Sequence, residues 1–434
     1  MRVGVIGGGL CGLTAAIRLA QRGIDVELFE AAPSPGGRTR SFFEPHTRQW
    51  VDNGPHLLSG AYHETHALLA EAGAADNIAW QTSLSLPLWD RARGAFMLRP
   101  NASLPLALAL PMACARLPGH GWADIPAFLR LALRLNRTAD TMESVHGWLK
   151  EAGTPAPLIR DLLEPLCLGA MNETLTGANA ASFCSVLRSA FADHASARLG
   201  WFRMPLNEAL IEPLTRIAQE LGVRLHTSAR VRGVHPCSSG FEIETSREKC
   251  RFNACILALP LHAAQQLLAR PKTAVTRRIT NVHMWFRGMP ALSHPFIGGI
   301  GTLGQWFFDV SSQMCAPGTD ARKDLPLRHI CAVISADNAA LQGHELEQRI
   351  CAELAEISTA HVPPKPQHVR IISEHRATTS VACSETENRL PPSLPHGLID
   401  ACESPRSGDL PATIESAVSR GNRAARLCYL QLFR

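Results

Sequence analysis

The apolar positions of this chain open as two short runs flanking a helical stretch: Arg2-Val-Gly-Val-Ile6, a segment starting at Leu10, and Asp25-Val-Glu-Leu-Phe-Glu30. The pattern predicts strand, glycine turn, helix and second strand, with an acid at the second strand's tip. An amphipathic helix is predicted from about His63 to Ala72. From about residue 86 the pattern becomes that of Leu/Ala/Pro-rich helices, including Asp124–Arg137, where apolar and basic residues interleave. Helical spacing returns at Leu206, Leu210, Leu214, Ile217 and Leu221 and runs into a strand over 222–231, ending at Val231. Alternation over Gly240–Thr245 and the apolar run from Ala254 to Leu259 read as strands, the latter ended by Pro260. Between about 270 and 390, Val282–Phe286, Trp306–Val310, His329–Ser335 and Val369–Glu374 read as strands. A helix from Glu345 to about Thr359, with Leu346, Ile350, Leu354 and Ile357 on one face, should cover them.

This order predicts an α/β protein of two interleaved domains, consistent with a length of 434 residues. Residues 1–85, 200–268 and 391–434 are assigned to a discontinuous nucleotide-binding domain of Rossmann type. Residues 86–199 and 269–390 are assigned to an interleaved α+β substrate domain with a helical cap.

The glycines of the first turn carry chemistry. In Gly7-Gly-Gly9-Leu-Cys-Gly12, Gly7 permits the tight turn, Gly9 lets the backbone approach a pyrophosphate, and Gly12 lets helix and strand pack closely. Glu30 would hold a ribose hydroxyl pair and repel a 2′-phosphate, so the ligand is FAD or NAD rather than NADP. The following Gly36-Gly37-Arg38 is what flavoproteins of the amine-oxidase and carotenoid-desaturase type place against pyrophosphate and flavin, which points to FAD. Near the end, Gly408-Asp-Leu410-Pro411-Ala412-Thr413 leads a helix whose small residues Ala417, Gly421 and Ala425 suit tight packing, with proline in its first turn. The start of that helix would stabilise negative charge on a reduced flavin.

Composition narrows the partners. Hydrophobic residues make up 46% and charged residues 19%, an apolar balance that suits a greasy substrate or a membrane surface. A net charge of +5 without a Lys/Arg run argues against nucleic acid. The 13 cysteines include no CxxC or His/Cys ligand spacing, so neither a metal site nor a disulfide framework is expected, and a reducing cytoplasm is the simplest setting. No signal peptide is recognised, and the longest apolar run, Leu104–Ala115, is shorter than the ~20 residues a membrane span requires.

Taken together, the N-terminal unit, Gly36-Gly37-Arg38, Asp52-Asn53-Gly54-Pro55-His56 and Leu410-Pro411-Ala412-Thr413-Ile414-Glu415 resemble the squalene-associated FAD-dependent desaturases. These are the hydroxysqualene dehydroxylases of hopanoid and squalene synthesis, within the phytoene desaturase/amine oxidase flavoprotein superfamily. Glu164–Asn172, Asn281–Phe286, Trp306–Asp309 and Glu374–Thr378 match as well, so the resemblance spans essentially the whole chain. It implies FAD held by Gly7, Gly9, Gly12, Glu30, Gly37, Arg38, Gly54, Val231, Leu410, Pro411, Ala412 and Thr413. Asp400 is the best match for the superfamily's flavin-binding Gly-Asp pair, with Ile399 where glycine is usual and therefore a source of crowding.

The activity implied is reductive removal of a hydroxyl from hydroxysqualene, a C30 isoprenoid. An acid must protonate the allylic hydroxyl, and an apolar pocket must keep water from the resulting cation. Candidate acids are His56, Asp309 and Glu374, although His56 also reads as a structural histidine and Glu374 as an ion-pair partner of Arg376. Trp285, Trp306 and Phe307 are candidate pocket aromatics or plain core. The stretch 104–137 either lies on a bilayer or is a buried cap. The expected setting is cytoplasmic, peripheral on the inner face of the membrane and in contact with upstream prenyl synthases. Two other readings stay open: a carotenoid-type desaturase, and a prenyl carrier with this fold but no cofactor.

Overall fold

A computed structural model describes residues 1–135, 142–270, 275–314, 327–358, 365–380, 394–403 and 406–433. Arg137 and Thr359, the expected ends of two helices, lie outside the described residues.

The N-terminal pattern folds as a parallel five-stranded sheet in the order 224–226, 25–29, 2–6, 254–257, 398–400. The chain thus contributes to one sheet from three distant regions. Their near-continuous apolar runs are what a parallel strand covered on both faces requires. The helix Leu10–Ala20 is buried along most of its length and packs against the closing helix Ile414–Leu432. That packing is close because Gly421 presents no side chain: a Cβ there would stand 2.5 Å from the carbonyl oxygen of Cys11.

A second, seven-stranded mixed sheet runs in the order 368–379, 276–286, 328–334, 306–309, 296–300, 86–90, 94–98. One face packs on the helix Gly343–Ile357 through Leu346, Ile350 and Leu354, as their helical spacing predicts. The other face meets a group of helices from Leu106 to Ala190. Side chains alternate between these layers, so Phe307 faces the first while Trp306 and Phe308 face the second.

Three local readings are corrected. Residues 86–98 are not helical: Leu86–Asp90 and Gly94–Leu98 form a hairpin at the edge of the seven-stranded sheet. The strand expected over 222–231 is split. Arg224–His226 joins the parallel sheet, and Val231–Cys237 starts a separate three-stranded antiparallel sheet with 240–245 and 249–252. Pro411 is not in the first turn of the last helix, because Thr413 is the N-cap, its hydroxyl accepting from the Ser416 N–H at 3.2 Å.

The closing helix also ties down a distant one. The Glu415 carboxylate accepts from the backbone N–H groups of Glu64 and Thr65, each at 2.9 Å, and from the Thr65 hydroxyl at 2.6 Å. These are first-turn amides of the helix His63–Glu71, which lack an intrahelical partner and attract negative charge.

Candidate functional site

The turn after the first strand forms a cradle in which glycine is sterically obligatory. Gly7 has φ +109°, and a Cβ there would lie 2.3 Å from the Ala258 carbonyl oxygen. At Gly12 a Cβ would lie 1.8 Å from the Gly7 oxygen. Gly9 is different: only the Gly37 Cα comes within 4 Å of its Cβ position. It caps the helix without any side-chain bond, so the first-turn amides point into open space suited to an anion. Gly36 and Gly37, both at positive φ, bring a second backbone segment beside Gly9, and the Gly36 N–H donates to the Gly8 oxygen at 2.8 Å.

Glu30 sits at the lip of this cradle. Its carboxylate accepts from the Gly8 and Ala32 N–H groups, each at 2.7 Å, leaving further lone pairs for hydroxyl donors. Val231 lies two residues beyond Ala229, whose N–H donates to the Glu30 carbonyl, and so flanks the same tip.

Asp400 behaves differently from expectation. It is exposed at the end of its strand and accepts the Cys402 N–H, while Ile399 is buried in the core of the parallel sheet rather than crowding a cleft. The carboxylate set inward is Glu403, three residues on and 3% exposed. It pairs with Arg38, which also donates to the Ala377 oxygen at 2.6 Å, and accepts the Thr379 N–H at 2.9 Å. Burial pushes Glu403 up, but Arg38, Arg420 and the Thr379 amide hold it below the usual carboxylate range. The Arg420 Nε is buried there without a partner among the described residues. Leu410, Pro411, Ala412 and Thr413 form the lead-in to the closing helix, whose cap Thr413 lies beside the partly buried Tyr62. A glycine-lined helix start, an acid at the second strand's tip and an inward Arg–Glu pair fit a flavin dinucleotide.

Next to this region is a small cavity lined by Asp52, His56, Phe202, His283, His329 and Met314, among others. His56 links the two places. Burial lowers its basicity, and the charge of Arg38 lowers it further. Its Nδ1 lies 2.8 Å from the Gly54 oxygen, which can only accept, so Nδ1 carries the proton and Nε2 is left as an acceptor. That makes His56 a poor acid. A Cβ at Gly54 would stand 2.7 Å from the Asn281 amide, so that side chain would have to move.

The cavity's other imidazoles are also uncharged at neutral pH. Burial lowers His283 to about 4 and holds His329 well below the ordinary value; the two rings meet at 3.0 Å.

Asp309 is fully buried on the Arg328 guanidinium at 2.9 Å, and accepts the Leu292 and Ser312 amides, each at 3.0 Å. Glu374 is partly buried and close enough to Arg38 to interact with it. Its expected pairing with Arg376 does not occur among the described residues. Trp285, Trp306 and Phe307 are core residues, none lining the cavity, although Trp285 stacks on the cavity histidine His329 at 4.3 Å.

One group of three possible metal ligands exists among the described residues, Glu44, His46 and His368. Its two rings are stacked at 4.5 Å and 21°. Ring nitrogens in nearly parallel planes aim their lone pairs side by side, which does not suit one ion.

The family of flavin-containing amine oxidoreductases matches residues 10–428. A hydroxysqualene dehydroxylase of Rhodopseudomonas palustris is 30% identical, the match covering 98% of this chain and 97% of that protein. The chain belongs to the hydroxysqualene dehydroxylases, within the flavin-containing amine oxidoreductases. A second member, from Sinorhizobium fredii, is 29% identical with the same coverage of both proteins. Among solved structures, the cyclohexylamine oxidase of Brevibacterium oxydans has the same fold, with TM-score 0.70, 16% identity, and coverage of 100% of this chain and 99% of that one. A hydroxysqualene dehydroxylase with this cradle is an FAD-dependent oxidoreductase, which removes the cofactor-free carrier from consideration.

The sequence reading missed two site residues, Glu403 and Asp52. For Glu403 the one local cue was a second acid shortly after Asp400. Asp52 stood in a quoted motif without a role, since nothing local shows that its strand ends at a cavity.

Proposed function

We propose that this protein reduces hydroxysqualene to squalene, releasing the hydroxyl as water. The observation that carries the reading is the position of His56, which lines the cavity and also feels Arg38 at the edge of the dinucleotide cradle. The first-turn amides beside Gly9 would hold the pyrophosphate, Glu30 the ribose, and Arg38 with Glu403 the region nearer the flavin. When bound, reduced FAD supplies hydride. The chain's own task is to seat the hydroxyl-bearing end of an apolar substrate among uncharged imidazoles and to keep water from the carbon that loses oxygen. Incubation with hydroxysqualene and chemically reduced FAD is expected to give squalene. Failure to form it, together with desaturation of phytoene or dehydrosqualene by oxidised FAD, would assign the chain to the reverse direction of hydride transfer.

The substrate is delivered, in this reading, from a bilayer surface. Leu108, Trp122, Leu129 and Leu133, each more than half exposed, lie on one stretch of the helical layer, with Arg116 over the Trp122 ring and Arg130 exposed beside Leu129. Exposed leucines and tryptophan next to arginines suit an anionic lipid interface. Among the described residues no helix is long and apolar enough to cross a membrane. The protein should float with anionic vesicles, and Leu129→Glu with Leu133→Glu should abolish flotation without altering the denaturation midpoint. A wild-type protein that stays in the soluble fraction would overturn this surface assignment. Contact with the enzymes that make the substrate belongs to the same proposal.

A further inference from the structure

We propose that Asp52 is the proton donor of the dehydroxylation, acting as a neutral carboxylic acid, with His56 accepting the hydrogen bond of the same substrate hydroxyl. The inference rests on the dehydroxylase reading and adds the acid that reading requires.

Asp52 ends the strand Gln49–Asp52 and lines the cavity together with His56, His283 and His329. Its two oxygens are not equivalent. Oδ1 accepts from the Ser41 hydroxyl at 2.6 Å and the Leu206 N–H at 2.8 Å, which fixes the carboxyl's plane. Oδ2 takes no bond from any described residue and remains for a ligand in the cavity.

The surroundings favour the protonated form. Burial raises Asp52 to about 6 against the pull of Ser41 and the Leu206 amide, and the charge of Glu208 adds to the rise. Among the described residues no lysine or arginine lines the cavity. His56, His283 and His329 are all held uncharged by burial, and Cys331, on the strand behind His329, is held as a thiol. Arg38, which acts on His56, is committed to Glu403. The other candidate acids are unsuited: Asp309 is locked on Arg328, and His56 presents a lone pair.

The step balances with the hydride that the proposed activity already supplies. The C–O bond breaks as the Asp52 proton passes to oxygen, and the hydroxyl leaves as water. The carbon gains a hydride from reduced FAD, and the Asp52 carboxylate takes up a proton from solvent before the next turnover. His56 Nε2 holds the hydroxyl hydrogen, so that an oxygen lone pair points at Asp52.

The test uses full-length protein and two variants, Asp52→Asn and Asp52→Glu. Asp52→Asn is expected to lower kcat by about 10²- to 10⁴-fold, the usual contribution of a general acid, while still binding FAD. Asp52→Glu should restore part of it. Wild-type kcat should fall as pH rises through about 6, and this limb should be missing from the residual Asp52→Asn rate. A second readout needs no turnover. An acid protonated to a higher pH in the folded than in the unfolded chain loses stability as it ionises. The denaturation midpoint of Asp52→Asn, measured without flavin, should therefore gain on wild type between pH 4 and 6.5 and stay above it beyond. Full activity in Asp52→Asn, or a midpoint difference independent of pH, would overturn the assignment. A wild-type enzyme that makes no squalene at any pH would instead remove the reading beneath it, whatever the stability profiles give.

Discussion

Gly12→Ala is expected to purify colourless. The added Cβ would stand 1.8 Å from the Gly7 oxygen and 3.0 Å from its carbonyl carbon, so either the helix Leu10–Ala20 or the turn before it has to move by more than an ångström. The helix has nowhere to go, because Cys11 and Thr14 already press on the closing helix at Gly421. Over-packing of this kind costs about 1–3 kcal/mol, and here it falls on the amides that face the pyrophosphate. Flavin absorbance per mole of protein should drop more than tenfold, and the denaturation midpoint should fall. Gly121→Ala is the control, since nothing lies within 4 Å of its Cβ position and its φ is extended. Full flavin content in Gly12→Ala would refute the cradle as drawn.

Asp309→Ala should unfold readily yet remain catalytically competent while folded. Its carboxylate is fully buried and is held by Arg328 and two backbone amides, so its loss removes a buried charge partner and two amide bonds. Breaking such a pair costs about 3–5 kcal/mol, a large part of a typical domain's stability. Urea denaturation measures this directly, and kcat per mole of bound flavin at low temperature should stay within a few-fold of wild type. A hundredfold loss of kcat with an unshifted midpoint would make Asp309 the acid and displace Asp52.

The parts of this protein that could be read from sequence are those whose cause is local. The first thirty residues declare themselves because glycine at 7 and 12 answers two steric demands, glycine at 9 leaves room for a ligand, and Glu30 follows at the next strand's end. The helix 343–357 was legible because one face of it is buried and the other solvated. The hairpin 86–98 was not, since its leucines, proline and alanine match the helical stretch after it in composition, and only the partner strand 296–300 makes it a strand. Trp285 and Phe307 stayed open between pocket and core for a related reason: their strands are buried on both faces, so an aromatic residue there has no signature that separates the two. Glu403 was displaced by Asp400 because a strand's last residue can be placed only to within a few positions without its neighbours. Asp52 required the cavity itself, which is assembled from strands more than two hundred residues apart.

The grip of Glu415 on Glu64 and Thr65, and the seat of residues 398–400 at the rim of the parallel sheet, set a timetable for biogenesis. A nascent polypeptide leaving the ribosome N-terminus first carries its glycine turn from the outset. It acquires the strand and helix that brace that turn only once residues 398–400 and 414–432 have been made. Flavin loading is therefore expected only in a chain that already holds residues 398–400 and 414–432 in place.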